Sequence, residues 1–209
     1  MKKTSAKTIG RLSLYRLLLD NLRRDGGETV YSHDLAAAAN CSAAQVRRDL
    51  MALEYAGSPV HGYRIGDLVE SIDNFLDHPS GQAVALVGVG NLGRAILSYF
   101  RGRRPKLSIV AAFDDDEHKV NRVVNGTWCY PMSDLSKIVA EKKILVGLIT
   151  VPASAAQAVA DRLVEAGVHG LLNFAPARLK VVPHVYLEDV DMTMSLEKVA
   201  YFSRLQAEE

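Results

Sequence analysis

The chain has little cysteine, no long apolar run and almost no net charge. Its two cysteines, Cys41 and Cys129, stand far apart and in no metal-ligand spacing, which argues against a disulfide framework and against a zinc site. No apolar stretch reaches the ~18–20 residues that span a bilayer. The basic residues near the start are not followed by the ~7–15 apolar residues of a secretory signal. The expectation is a cytoplasmic protein with no membrane partner and no metal. Internal repeats and low-complexity tracts are missing as well. What remains is an ordinary globular composition, 48% hydrophobic and 23% charged over 209 residues. That length suits one large domain or two small ones.

The net charge of +1 averages over two unlike parts. Residues 1–64 carry ten Lys and Arg against six Asp and Glu, so of the chain's 25 basic and 24 acidic residues the remainder holds 15 and 18. A basic head on an acidic body is the arrangement of a nucleic-acid module fused to a regulatory domain.

Residues 8–24 predict a helix, with Ile9, Leu12, Tyr15, Leu19 and Leu22 at helical spacing. Gly26-Gly27 ends it. Ser32 then reads as an N-cap, with Asp34 favoured in the first turn, opening a short helix over residues 32–39. Ser42-Ala43-Ala44-Gln45 fits a capping box and starts a third helix through Val46, Leu50 and Leu53. Helix, short helix, tight turn and helix make a helix-turn-helix. Gly57-Ser58-Pro59 closes it, and residues 60–65, Val60 to Ile65, predict a small β-wing. Residues 66–77 return to helical spacing, and the breaker cluster His78-Pro79-Ser80-Gly81 marks a boundary.

Beyond it the pattern changes. Ala83-Val84-Ala85-Leu86-Val87 is continuously apolar, as in a strand buried on both faces of a parallel sheet. Further strands are expected at 107–113, 144–151, 170–174 and 181–187, with helices to about Phe100 and over 153–166. Alternating strands and helices specify a doubly wound α/β domain. The expected organisation is residues 1–80, 81–190 and a terminal helix within 191–209.

The first of these strands feeds Gly88-Val89-Gly90-Asn91-Leu92-Gly93 and then a helix, which is the context that makes a GxGxxG pattern informative. Gly88 permits the tight turn, Gly90 lets backbone approach a pyrophosphate, and Gly93 lets helix and strand pack closely. The pyrophosphate would sit on free N–H groups at the positive helix end. Asp114 closes the second strand, 21 residues past the last glycine, where a carboxylate meets the adenosine ribose hydroxyls. A carboxylate there repels a 2′-phosphate, favouring NAD(H) over NADP(H). Coenzyme A is the competing ligand for such a domain.

Gln45, Arg47 and Arg48 lie on the first turns of the third helix. Arg suits guanine O6/N7 and Gln suits adenine. Lys2, Lys3, Lys7, Arg11 and Arg64 are candidates for phosphate contacts, which position a protein on duplex DNA without reading sequence. The plain alternative for any one of them is a solvated surface cation. Asp49 is expected to pair locally, and His33 and His61 to be surface residues.

Together, Gln45-Val46-Arg47-Arg48-Asp49-Leu50, Val87-Gly88-Val89-Gly90-Asn91-Leu92-Gly93, Phe113-Asp114, Thr150-Val151-Pro152 and Leu172-Asn173-Phe174-Ala175-Pro176 resemble the Rex redox-sensing repressors over nearly the whole chain. The resemblance implies a winged helix-turn-helix domain, a Rossmann domain and a terminal helix swapped between the subunits of a homodimer. It implies a palindromic double-stranded DNA operator held when NADH is scarce and released when NADH binds, with NAD+ the weaker effector. It implies that Thr150, Val151, Pro152, Asn173, Phe174, Ala175 and Pro176 line the nicotinamide end, and that Tyr99 and Asp191 belong to the sensing apparatus. Two departures stand out. The family's first helix carries Tyr-x-Arg, whose Arg pairs with the interdomain Asp. Here the stretch is Tyr15-Arg16-Leu17, about 100° away on a helix. The recognition helix also continues Asp49-Leu50-Met51-Ala52-Leu53-Glu54 in place of the family's Asp-Leu/Phe-Ser-Tyr-Phe-Gly.

An NAD-dependent oxidoreductase is the alternative from another class. Residues 81–190 suffice only for the nucleotide-binding domain, and no His/Asp or Tyr/Lys pair is spaced for proton transfer. Four residues past Tyr99 stands Arg103, not a lysine. No catalytic residue is expected. An apolar cavity of Val151, Pro152, Phe174 and Pro176 would favour the neutral reduced ring over the cationic one.

Overall fold

The computed structural model describes residues 4–53, 55, 57, 58, 61–104 and 106–207. The chain forms two compact units, Met1–Pro79 and Ser80–Glu209.

The first unit runs α1 (Ala6–Arg24), β1 (Thr29–Val30), α2 (Ser32–Ala38), α3 (Ala43–Leu50), β2 (Tyr63–Arg64) and α4 (Ile65–Leu76). The Ser5 hydroxyl accepts the Thr8 N–H at 3.2 Å and starts α1. Gly26, at φ 87°, ends it, and the Gly27 N–H reaches back to the Leu22 carbonyl at 2.9 Å. Leu12, Tyr15 and Leu19 fall on one face of α1 and pack with Leu35, Val46, Leu50, Leu68 and Ile72. The helix-turn-helix is present, but its capping box is half made. Ser42 Oγ accepts the Gln45 N–H at 3.1 Å, whereas the Gln45 amide turns inward to Asp49 at 2.9 Å. After Leu50 the chain tightens into a 3-10 turn, Met51–Leu53.

The wing is smaller than the sequence implied. Ser58 and Gly62 exchange two backbone hydrogen bonds of 2.9 and 2.8 Å, and β2 pairs antiparallel with β1. Ile65, expected in the wing, instead opens α4. Lys2, Lys3, Pro59 and Val60 lie outside the described residues.

A buried polar network holds this unit together. Arg11 donates to both Asp49 oxygens at 2.6 and 2.7 Å, and the Tyr15 hydroxyl donates to the same carboxylate at 3.0 Å. The Asp49 side chain is 2% exposed. Burial alone would raise its pKa, but hydrogen bonds from Arg11, Tyr15 and Gln45 outweigh burial and hold it below the usual carboxylate range. Burial raises the Tyr15 phenol, which therefore stays a donor. Arg16 spans from α1 to α4, donating to Asp73 at 3.1 Å and Asp77 at 3.3 Å.

The second unit comprises β3 (Gln82–Val87), α5 (Asn91–Phe100), β4 (Leu107–Asp114), β5 (Arg122–Val124), β6 (Thr127–Pro131), α6 (Leu135–Glu141), β7 (Val146–Ile149), α7 (Ala153–Glu165), β8 (Gly170–Asn173), β9 (Tyr186–Asp189) and α8 (Met192–Ala207). The sheet order is β5-β6-β4-β3-β7-β8-β9, parallel except for the β5–β6 hairpin. Alternation along β3 explains its unbroken apolar run. Ala85 and Val87 face one core with Phe113, Leu135 and Leu163, while Val84 and Leu86 face the other with Ile96, Leu97 and Leu148. The chain leaves β3 toward β4 and later returns to β7 on its other side, so a switch point lies at the carboxyl ends of these strands.

β5, β6 and α6 lie outside the strands and helices expected from the sequence. Asn125-Gly126, at φ 46° and 86°, makes their two-residue hairpin turn. The strand expected at 181–187 is displaced to Tyr186–Asp189. Pro183 offers no N–H to a ladder, so pairing begins after it. Cys129 on β6 is fully buried, and burial pushes its thiol up to about 11. Every described side chain of α8 is exposed, including Leu196, Val199 and Phe202.

Asp49→Ala strands the Arg11 charge and costs the first unit about 3 kcal/mol, at the lower end for a broken buried pair because Arg11 is partly solvated. The sole tryptophan, Trp128, lies in the second unit, so circular dichroism should show early helix loss while Trp128 fluorescence unfolds as in the parent. With its pKa depressed on folding, Asp49 stabilises above the unfolded carboxylate pKa, and that stability is lost as pH falls through its folded pKa. The variant should lack this acid-dependent loss.

Candidate functional site

The glycine loop sits where β3, β4 and β7 end. Gly88 has φ +99°, and a Cβ there would stand 2.7 Å from the Thr150 carbonyl. A Cβ on Gly93 would overlap the Gly88 carbonyl oxygen. Gly90 differs: beyond its own residue and its two chain neighbours, no protein atom lies within 4 Å of where its Cβ would be. The backbone is thus packed shut on the protein side and open on the outside. Among the described residues no side chain caps α5, which leaves its first N–H groups to an approaching anion.

Thr150 fastens the loop from the neighbouring strand. Its hydroxyl lies 2.9 Å from the Val87 carbonyl and 2.7 Å from that of Gly88. Asp114 fastens it from the other side. One carboxylate oxygen accepts the Val89 N–H at 2.7 Å and the other accepts the Asp116 N–H at 2.9 Å. A cavity of about 310 Å³ opens here, lined by Gly88, Gly90, Asp114, Lys119, Met132, Thr150, Val151, Pro152 and Ala155, among others. Of the remaining loop positions, Asn91 is exposed, Leu92 half-buried and Val89 buried. The cradle fits a dinucleotide: an open glycine at a helix start, with a fixed carboxylate beside it.

The residues expected at the nicotinamide end do not share one cavity. Asn173, Ala175 and Pro176 line a separate hollow of about 130 Å³ with Arg178, Asp189 and Asp191. Phe174 packs against the Val84–Leu86 side of the sheet. The expected wall of Val151, Pro152, Phe174 and Pro176 is therefore corrected to two residues, backed by Met132 and Ala155, because Phe174 follows the strand alternation to the opposite face. Asn173 is a brace: its amide donates to the Ala177 carbonyl at 2.8 Å and to Asp189 at 2.9 Å, and its oxygen accepts the Ala175 N–H at 3.0 Å.

Asp191 accepts the Met194 N–H at 2.8 Å and so begins α8. Tyr99 is 56% exposed, which excludes plain core packing, and the Arg103 guanidinium carbon lies 4.2 Å from its ring centroid. Lys119 and Met132 were not foreseen. Met132 belongs to the stretch whose Asn125-Gly126 signal was overlooked, and Lys119 belongs to no motif.

In the first unit Lys7, Arg47, Arg48 and Arg64 are exposed cations. Arg47 donates to Ser32 Oγ at 2.9 Å, and Arg64 lies 3.7 Å from Asp67. Arg11 departs from the expectation of a free phosphate-contacting cation: two of its guanidinium nitrogens, Nε and Nη2, donate to Asp49, which gives it a role in the fold. Gln45 is likewise held by Asp49. Arg16 is committed to Asp73 and Asp77 within its own unit. A broader hollow of about 700 Å³ runs along the wing, with Glu28, Asp67, His61 and Arg64 in its wall.

Gly90→Ala should leave the melting temperature unchanged and weaken dinucleotide binding by about tenfold or more, since its methyl meets no protein atom yet stands in the ligand's approach. Gly93→Ala should lower the melting temperature, since Gly88 must move. Equal melting losses in both variants would refute this division of roles.

Residues 3–50 match the family model of a putative DNA-binding protein N-terminus, and residues 80–177 match that of a CoA binding domain. The chain is 39% identical over 200 residues to the redox-sensing transcriptional repressor Rex of Geobacillus kaustophilus, covering 96% of this chain and 93% of that protein. It is 39% identical over 199 residues to that of Carboxydothermus hydrogenoformans, covering 95% and 96%. Among solved structures, RSP in complex with beta-NADH superposes with a TM-score of 0.86 at 29% identity, covering 100% of this chain and 97% of that one. RSP in complex with beta-NAD+ and operator DNA superposes with a TM-score of 0.87 at 28% identity, covering 100% and 99%. With such relatives matched along nearly their full lengths, this chain belongs to the Rex family of redox-sensing transcriptional repressors.

Proposed function

We propose that the chain is a DNA-binding repressor that senses the NADH/NAD+ ratio and leaves a palindromic operator when NADH binds. The observation that carries this reading is the glycine loop, closed toward the protein at Gly88 and Gly93, open at Gly90 and flanked by Asp114, on one chain with a helix-turn-helix. The match to RSP, solved with NADH and with NAD+ and operator DNA, spans both units. The CoA binding model spans only residues 80–177, so coenzyme A is the weaker reading. The family's relatives are named as repressors, which makes this a regulator and not an oxidoreductase.

In this reading Gly88 to Gly93 receive the pyrophosphate, Asp114 the adenosine ribose, and Thr150, Val151 and Pro152 the nicotinamide end. Asn173, Phe174, Ala175 and Pro176 shape the adjoining segment. Arg47 and Arg48 face base edges, Lys7 and Arg64 phosphates, and Tyr99 and Asp191 serve the switch, while Gln45, held by Asp49, steadies the helix that carries the two arginines. The exposed apolar residues of α8 support a homodimer in which that helix is covered by a second copy. Among the described residues no helix is long and apolar enough to cross a membrane, and we place the protein in the cytoplasm, where its DNA would be.

Moving a two-state repressor from 99:1 to 1:99 takes a ~10⁴-fold ligand preference for one state. The adenosine halves of NADH and NAD+ are identical, so their discrimination must arise at the ring. An apolar wall of Val151, Pro152, Met132 and Ala155 disfavours the cationic ring of NAD+.

Fluorescence anisotropy of the protein on a labelled palindromic Rex-type operator should show release by NADH at concentrations where NAD+ leaves the complex intact. Binding that ignores both nucleotides would remove the sensor, and steady NADH consumption with alcohols or hydroxy acids would restore the oxidoreductase. Val151→Asp should narrow the NADH/NAD+ preference by about tenfold, as expected of one carboxylate near a cationic ring. An unchanged ratio would count against the apolar-wall account.

A further inference from the structure

The ribose end of the cavity holds a cation that the glycine motif does not call for. Lys119 lies five residues past Asp114. Its ammonium is 3.4 Å from both Asp114 oxygens and 3.3 Å from an Asp116 oxygen. Both carboxylates are themselves fixed by backbone. Asp114 holds the Val89 and Asp116 N–H groups, and Asp116 holds the His118 N–H at 2.9 Å. The ammonium is thus set between two anchored anions rather than floating in solvent. Burial works against its charge, but Asp114 and Asp116 prevail and raise its pKa, so it stays protonated. Lys119 is the one cation among the described residues lining this cavity.

We infer that Lys119, clamped between Asp114 and Asp116, is a specificity-determining residue by which this chain excludes 2′-phosphorylated dinucleotides. The inference rests on the dinucleotide reading above and adds a second means of exclusion. Asp114 repels a 2′-phosphate directly. Together with Asp116 it also occupies the ammonium that such a phosphate would need. Asp115 lines the same cavity, so the rim carries more negative than positive charge while the clamp is closed. Rejection of NADP(H) is therefore a property of three side chains, and the phosphate-binding group is present but engaged.

The test measures equilibrium binding of NADH and NADPH to the full chain, with Asp114→Asn/Asp116→Asn and the same pair carrying Lys119→Met. Asp116→Asn keeps an oxygen for the His118 N–H, whereas Asp114→Asn keeps one for only one of the Val89 and Asp116 N–H groups, so Trp128 emission checks the fold of the double variant. Freed of its partners, Lys119 should strengthen NADPH binding by about tenfold over the parent, as one charge-assisted contact would. Adding Lys119→Met should erase that gain. No gain, or a gain that survives Lys119→Met, overturns the inference. Should Trp128 emission show the amide variant unfolded, Asp116→Asn alone decides: NADPH binding should strengthen relative to NADH binding and lose that gain when Lys119→Met is added, and an unchanged ratio overturns the inference. A parent chain that binds neither nucleotide removes the dinucleotide reading itself, a result distinct from NADH binding with NADPH affinity unmoved by the amides.

Discussion

The second unit turns on the close approach of α5 to the end of β3. Gly93 lies against the Gly88 carbonyl, and the Thr150 hydroxyl bonds that same carbonyl from β7. Three strands and one helix start are fixed relative to each other by a few atoms without room for a methyl group. Because the loop cannot move inward, Val89 presents its N–H to Asp114, and Gly90 is left as the exposed face. Widening the turn would loosen Asp114, shift Lys119 with it and open the cavity wall at Val151. The site's charge pattern is in this sense a consequence of steric closure at two glycines.

The first unit depends on a different kind of constraint. Its apolar core is small, and a buried carboxylate takes on part of the task of orienting the helices. Asp49 sits on α3 yet faces inward, collecting Arg11 and Tyr15 from α1 and Gln45 from its own first turn. Arg47 and Arg48, its neighbours in sequence, point the other way and are exposed. One short helix thus divides its charged residues between holding its own angle and facing outward. A buried ion network is weak support for net stability, but it is directional, and direction is what a base-reading helix requires.

Much of this was legible in the sequence because the relevant signals are local. The run at 83–87, the spaced glycines and Asp114 announce a strand, a turn and a second strand end, and the Ser42 cap marks a helix start. What was misread depends on long-range partners. Nothing near Arg11 indicates that a carboxylate 38 residues away will claim its guanidinium. The family resemblance set Phe174 beside Pro176 at the nicotinamide end, whereas strand alternation sends its ring to the other face of the sheet. Arg16 looked one place out of register, and Asp73 on α4 with Asp77 just past its end accept its guanidinium. The β5–β6 hairpin was readable from Asn125-Gly126 and was simply overlooked; Lys119 had no pattern to give it away.

The burial of Cys129 bears on what kind of oxidation state the protein can register. Burial pushes the thiol up to about 11, which keeps it protonated and unreactive at neutral pH. The sulfur is also sealed inside the sheet, one strand from Asp114. A peroxide or a disulfide finds no nucleophile there. The domain can thus follow the reducing power stored in a hydride carrier while staying chemically deaf to thiol oxidants. Two kinds of redox stress that often arise together would reach the operator, through this domain, as one signal and not two.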